Sequence, residues 1–228
     1  MKNLIKTTIL ALCVAMVLSG CESVNNTAKG SVIGAAGGAA LGLLVGHLAG
    51  NKAVGTAVGA AVGAGTGAVI GHRMDKAAAA AAEIENATVE TITDANNLTA
   101  VKVTFDSGVL FATNKYDLNN AVKADLAQFA EVLKEYNDAD IAIFGHTDST
   151  GNDAINNPLS VNRANSVASY LKSLGVPDSQ IKQIEGYGSK YPVADNATAE
   201  GRKKNRRVEV YLYASQAMID AANNGTLK

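Results

Sequence analysis

Tryptophan is missing from this chain, proline occurs three times and cysteine only twice. The cysteines decide most. Cys13 lies inside an N-terminal apolar run and only Cys21 follows it, so whatever folds downstream has no internal disulfide to draw on. An excess of either charge is also missing: the formal net charge is −1 over 228 residues, which gives nucleic-acid binding no bulk electrostatic support. The basic cluster Arg202, Lys203, Lys204, Arg206 and Arg207 is a local exception that reads as a solvated loop. Histidine is scarce, and His47 and His72 fall in separate segments, so no metal centre is expected. Catalysis is not expected either. His146 and Asp148 sit two apart at a strand end, pointing the same way without a nucleophile, base and orienter in line, and no second carboxylate takes the place that glycan cleavage needs. The sequence implies no cofactor and no enzyme.

What is present begins with a secretory signal over residues 1–20: Lys2 and Lys6, an apolar run through Ile9, Leu10, Leu12, Val14 and Val17, then small residues. Its end, Leu18-Ser19-Gly20-Cys21, resembles a bacterial lipobox. That resemblance implies that the Cys21 thiol takes a diacylglyceryl group, the chain is cut before it, and the new amine is acylated. Three acyl chains exceed the two signals that stable anchoring needs. Glu22 follows Cys21 where an inner-membrane retention signal has aspartate, which implies the outer membrane with the chain facing the periplasm. Loss of Lys2 and Lys6 takes the net charge from −1 to −3.

A lipidated polar tether over 21–29 leads into a repeat. Glycines recur at 30, 34, 38, 42, 46 and 50 and again at 55, 59, 63, 67 and 71, with Asn51-Lys52 between the runs. With Gly37 and Gly65 there are 13; at roughly 1 kcal/mol each against alanine, a helix in water loses about 13 kcal/mol, which rivals the ~5–15 kcal/mol stability of a whole domain. A bilayer, or close helix–helix contact along the glycine stripe, offsets that loss. Residues 30–75 therefore read as a glycine-zipper helical hairpin, similar to the two-helix zippers of some envelope lipoproteins. Each run is long enough as a helix to cross a bilayer core. The charged stretch His72-Arg73-Met74-Asp75-Lys76 ends it, and residues 76–100 read as a linker with a helical spacer over Ala77–Ala82 and a lead-in β-hairpin: alternation in Thr88–Thr93, a turn at Asp94–Asn97, and Val101–Phe105.

The folded domain is expected over 101–215, with a tail at 216–228. Helical spacing of Leu118, Val122, Leu126, Phe129, Val132 and Leu133 predicts a helix over Leu118–Tyr136. A short buried strand carrying Ile141, Ile143 and Phe144 follows, then a polar loop with Asp148, then a second helix. For that helix Asn157 reads as the N-cap and Pro158 as its first residue. Ser160, Ala164, Val167, Leu171 and Leu174 share one face, and Arg163 lies on its flank, its stem against the core and its guanidinium toward the loop. Ile181–Gly186 and Arg207–Tyr213 read as strands and Ala214–Asn224 as a terminal helix. The order βαβαββ implies an α+β sandwich with two helices on one face of a mixed sheet, preceded by the zipper hairpin.

Gly145-His146-Thr147-Asp148-Ser149-Thr150-Gly151, followed by Asn156, Leu159-Ser160, Arg163-Ala164 and Ser166-Val167, resembles the signature of the OmpA-like domain, a peptidoglycan-binding module. The likeness extends to Val103-Thr104-Phe105, Gly186-Tyr187-Gly188 and Asn205-Arg206-Arg207-Val208-Glu209. It implies the fold of the OmpA C-terminal domain and nominates Asp148 and Arg163 as the pair that grips diaminopimelate in the peptidoglycan stem peptide, with Thr150, Asn156 and Arg207 as secondary contacts. The chemistry suits those types: the free end of diaminopimelate is a zwitterion, met by a carboxylate for its ammonium and a planar fork for its carboxylate. Asp117 before Leu118 departs from the family's small polar residue or asparagine and puts an extra carboxylate near the site. The chain is thus expected to be a lipid-anchored outer-membrane tether to the cell wall. In the alternative reading the zipper drives homo-oligomeric assembly and wall binding only localises it.

Overall fold

The structure is a computed structural model that describes residues 64–227 apart from 95 and 97. The expected signal, the expected tether and most of the expected zipper hairpin lie outside the described residues. In chain order the elements are α1 (Ala64–Ala82), β1 (Ala87–Thr93), β2 (Thr99–Asp106), α2 (Ser107–Leu110), α3 (Asn120–Glu135), β3 (Ala139–His146), α4 (Asp153–Ser173), β4 (Ile181–Gly186), α5 (Ala199–Asn205), β5 (Arg207–Ala214) and α6 (Gln216–Asn223). The strands form one mixed sheet in the order β1-β2-β5-β3-β4, antiparallel except for the parallel β3–β4 pair.

Alternation along the strands divides this sheet into two unlike faces. Val101, Val103, Phe105, Ile141, Ile143, Val208, Val210 and Leu212 are buried against helices, with Phe105 edge-on to Phe129 of α3 at 5.5 Å. Lys102, Phe144, Arg207, Glu209 and Tyr211 sit at the intervening positions. The α+β architecture is the expected one, but the helical face carries more than α3 and α4. The C-terminal α6 buries Met218 and Ile219 in the same core, and so does α1.

That helix, α1, crosses the expected boundary at residue 75. One continuous helix runs from Ala64 to Ala82, and Ile70, Met74, Ala77 and Ala81 form its fully buried stripe. The spacing of four, three and four is a helix face, and the alanine run beyond Lys76 is the best helix-forming stretch available, so nothing stops the helix at the charged cluster. Within it Arg73 pairs with Asp138 at 2.7 Å and Thr66 donates to Asn223 of α6 at 2.7 Å. Residues 76–82 are therefore core helix, not spacer.

The start of α4 is a second correction. The helix begins at Asp153, not Pro158, because the Asn152 side chain accepts the Ile155 N–H at 3.1 Å and takes the capping role. Pro158 sits in the second turn, where its missing N–H leaves the helix one hydrogen bond short. α4 lies very close to the sheet: a Cβ on Gly145 would collide with the Ser160 carbonyl, and one on Gly186 with the Val161 backbone nitrogen. The two glycines let the helix that carries Arg163 settle onto β3 and β4.

Candidate functional site

Short polar side chains shape the β3–α4 connection. Thr147 donates its backbone N–H to the Gly188 carbonyl at 2.9 Å. Asp148 then turns the chain, its Oδ1 accepting the Thr150 N–H at 2.8 Å, as an Asx turn does. Gly151 adopts a left-handed φ of 89°, and Asn152 caps the helix. From the first turn of α4 Asn156 reaches back, Nδ2 donating to the Thr150 carbonyl at 3.0 Å and the Asp148 carbonyl at 3.4 Å. Two turns on, Arg163 projects over the loop that precedes α3. Its Nε donates to the Lys115 carbonyl at 3.1 Å, and its guanidinium lies 5.2 Å above the Phe111 ring.

Asp148, Thr150, Asn156 and Arg163 border one cavity of about 660 Å³, together with the loop from Phe111 to Asn114 and with Arg202 and Arg206. Four of the five binding residues read from the sequence are thus brought together. Asp148 is buried, and its Oδ2 accepts from Arg206 Nη1 at 2.6 Å. Burial by itself would push this carboxyl up; the Arg206 guanidinium and Thr150 outweigh it and hold the group below its usual range. Arg163 is 4% exposed, and among the described residues no carboxylate lies within ion-pair distance of it. Burial and then the neighbouring Arg206 push its pKa down, with Asp148 acting the other way. Three guanidiniums and one carboxylate border the cavity, an excess of positive charge.

Arg207 is the residue the structure does not bring there. It faces away from the helices, and its guanidinium is consumed: Nε on Glu209 at 2.6 Å, Nη1 on the Asn205 carbonyl at 3.3 Å, Nη2 on the Tyr191 carbonyl at 3.2 Å. The arginine at the cavity is its neighbour Arg206, and α5 adds Arg202, which donates to the Asn196 and Ala197 carbonyls. Both belong to the cluster that reads as a solvated loop. Behind this segment Asn205 is fully buried and ties the Val193–Asn196 stretch together, and Asn196 Oδ1 in turn accepts the Ser149 N–H at 3.2 Å. Asp117 does not border the cavity; it lies in a separate groove beside α4. No cluster of three or more histidine, cysteine or carboxylate side chains suited to a metal occurs among the described residues. None of the described helices is long and apolar enough to cross a membrane.

Comparison with known proteins finds two families that match parts of the chain. Residues 110–206 match the OmpA family and residues 1–75 the YMGG-like Gly-zipper family. The peptidoglycan-binding protein ArfA of Mycobacterium bovis is 49% identical over 87 residues, which is 38% of this chain and 26% of that protein. The probable lipoprotein YiaD of Escherichia coli is 43% identical over 106 residues, 46% of this chain and 48% of that one. Among solved structures, the cell wall anchor of the T6SS from Pseudomonas aeruginosa superposes with a TM-score of 0.53 at 27% identity, covering 63% of this chain and 98% of the other. The chain spans about half or less of the length of the curated relatives it matches.

Proposed function

An OmpA family domain occupies residues 110–206 behind a YMGG-like Gly-zipper segment, and on that premise we propose that the chain holds peptidoglycan non-covalently through the diaminopimelate of a stem peptide. The observation that carries this reading is Arg163: a guanidinium removed from water, at the wall of a cavity, with no carboxylate paired to it among the described residues. A buried cation without a counter-ion is costly, and a ligand carboxylate supplies the missing partner in the two-pronged geometry a guanidinium favours. Asp148 in the same cavity receives the ammonium of the same zwitterion, while Thr150 and Asn156 hold its loop in shape. Arg206 takes the secondary contact that the resemblance implies for Arg207.

Two relatives favour the wall as partner: one is named peptidoglycan-binding, and the other is a cell wall anchor. The relative named a probable lipoprotein supports acylation of Cys21, and relatives named as outer membrane proteins support an outer-membrane location with the domain in the periplasm. The role is one of binding without catalysis. Purified peptidoglycan should retain the wild-type protein in a sedimentation assay and release Asp148→Ala and Arg163→Ala. Each substitution should cost about 2–5 kcal/mol of binding, the range for breaking a buried charge pair. Retention of both variants at the wild-type level overturns the assignment. Radiolabelled palmitate should enter the wild-type chain and not Cys21→Ser.

A further inference from the structure

Next to the cavity runs a second depression, a groove of about 580 Å³ between α4 on one side and the Tyr116–Leu118 segment with the start of α3 on the other. Its chemistry is unlike the cavity's. The α4 wall presents Asn162, Asn165, Ser166 and Ser169, amides and hydroxyls without a formal charge. The groove's two charged residues, Asp117 and Lys123, are of opposite sign. Two aromatic rings complete it: Tyr116, which is 47% exposed, and Tyr170, whose hydroxyl donates to the Lys123 carbonyl at 3.4 Å.

Groove and cavity flank the contact between Arg163 and Lys115 from opposite sides. Lys115, whose carbonyl receives Arg163, precedes Tyr116; Asn162 precedes Arg163. A ligand whose peptide fills the cavity and whose remainder passes over that contact reaches a neutral groove rich in donors and acceptors.

We propose that this groove is a glycan subsite that takes the N-acetylated hexosamine units of the strand whose stem peptide occupies the cavity. The inference rests on the stem-peptide reading for the occupant of the cavity. The division of charge between the two sites matches the polymer. The stem peptide carries ammonium and carboxylate groups, whereas the glycan is an uncharged chain of hydroxyls and acetamido groups. Asparagine and serine offer donors and acceptors to both of those groups, and tyrosine supplies a rigid ring for the apolar face of a sugar at little entropic cost. The stem is also short. The two residues between sugar and diaminopimelate span about 7 Å when extended, so the sugar must lie beside the cavity.

The test uses the full chain in detergent with three probes: a diaminopimelate-containing tripeptide, the corresponding disaccharide-tripeptide, and chitotetraose, which has no peptide. In calorimetric titration the wild type should bind the disaccharide-tripeptide about tenfold more tightly than the tripeptide, a difference of roughly 1.4 kcal/mol. Tyr116→Ala and Asn162→Ala, both on exposed side chains, should bring that ratio toward one and leave tripeptide affinity unchanged. Equal affinities in the wild type, or a ratio untouched by both substitutions, overturns the subsite. Failure of the tripeptide to bind while chitotetraose binds in a Tyr116-dependent way overturns the stem-peptide reading and supports the groove.

Discussion

The two faces of the sheet solve the problem of burial in opposite ways. On the helical side, Val101, Val103, Phe105, Ile141, Ile143, Val208, Val210 and Leu212 meet side chains of α1, α3, α4 and α6, and stability there comes from apolar surface removed from water. On the other side no described helix lies over the strands. Ala142, Phe144 and Tyr211 form a small apolar cluster there with Ile92, Tyr187 and Tyr213 packed against it, and Lys102, His146, Arg207 and Glu209 are buried beside it. Tyr187 lies over this group, its ring 5.4 Å from Phe144 and 5.7 Å from His146. One face is held by area, the other by pairing. The cavity forms where they meet: His146 and Arg207 are register partners at the end of the β3–β5 ladder, so Asp148, two residues past the one, and Arg206, one before the other, face each other across its end.

The comparison breaks most visibly on the helical side. If α1 belongs to the domain core, a chain starting at residue 83 loses Ile70 and Met74, each worth about 1.5–3 kcal/mol of burial, before its alanines are counted. Together with the sheet surface left bare, that approaches the total stability of a marginal domain, ~5 kcal/mol. A chain starting at residue 64 should therefore unfold cooperatively on heating, and one starting at 83 should melt far lower or not fold. Equal melting temperatures would mean that α1 only rests on the sheet.

On the paired face the expected loss comes from a single charge. Glu209 accepts from Arg207 Nε at 2.6 Å and from the Tyr211 hydroxyl at 2.7 Å, and stands 3.4 Å from His146 Nε2 without hydrogen-bond alignment. Glu209→Gln strands Arg207 as an uncompensated buried cation and should cost about 3 kcal/mol. Replacing Glu209 and Arg207 together by apolar residues should cost less than the two single losses summed. The same face should respond to acid. Burial pushes the His146 pKa below its ordinary 6.5, with Arg207 and Lys102 adding to the shift and Glu209 opposing it. The unfolded histidine takes up a proton that the folded one refuses, so stability falls as pH drops from about 6.5. For Glu209 burial alone would raise the pKa, but His146, Arg207 and Tyr211 outweigh it and depress the folded value. A second decline therefore starts below its ordinary 4.5. In thermal melts across pH, His146→Gln should flatten the upper part of the decline and Glu209→Gln the lower.

Where pattern and propensity agree, the chain reads correctly. Ile181–Gly186 is a strand over the expected residues, Gln216–Asn223 falls inside the expected terminal helix, and the loop from Thr147 to Asn152 carries Asp148 to the side of α4. Two departures have local causes. Asn157 and Pro158 form a strong helix-start signal, but Asn152 stands nearer the strand end and makes the cap. In α1 the glycines at 65, 67 and 71 obscure the stripe of Ile70, Met74, Ala77 and Ala81, which only a partner sheet reveals. Arg207 is different, because its placement was legible. Val208, Val210 and Leu212 are the residues a helix-covered face demands, so Arg207, Glu209 and Tyr211 must turn away from the helix that bears Arg163. Family likeness marks the pair of arginines, and strand parity says which of them reaches the cavity.

That parity argument supports the smallest effect expected. Arg206 and Arg207 are neighbours, both paired to a carboxylate at 2.6 Å, yet the Arg206 side chain is 37% exposed and that of Arg207 6%. A half-exposed pair is screened and contributes about 0.2–1 kcal/mol, so Arg206→Gln should leave the melting temperature nearly unchanged where Arg207→Gln lowers it clearly. The trace of Arg206 should appear at Asp148 instead. Its guanidinium is the largest influence holding that carboxyl down, and removing it should move the Asp148 pKa upward in a carboxyl-detected NMR titration, while Arg207→Gln, acting on the far face, should leave it in place. An Asp148 titration that follows Arg207 and ignores Arg206 would mean that the two faces are coupled through β5 itself, not merely joined at its end.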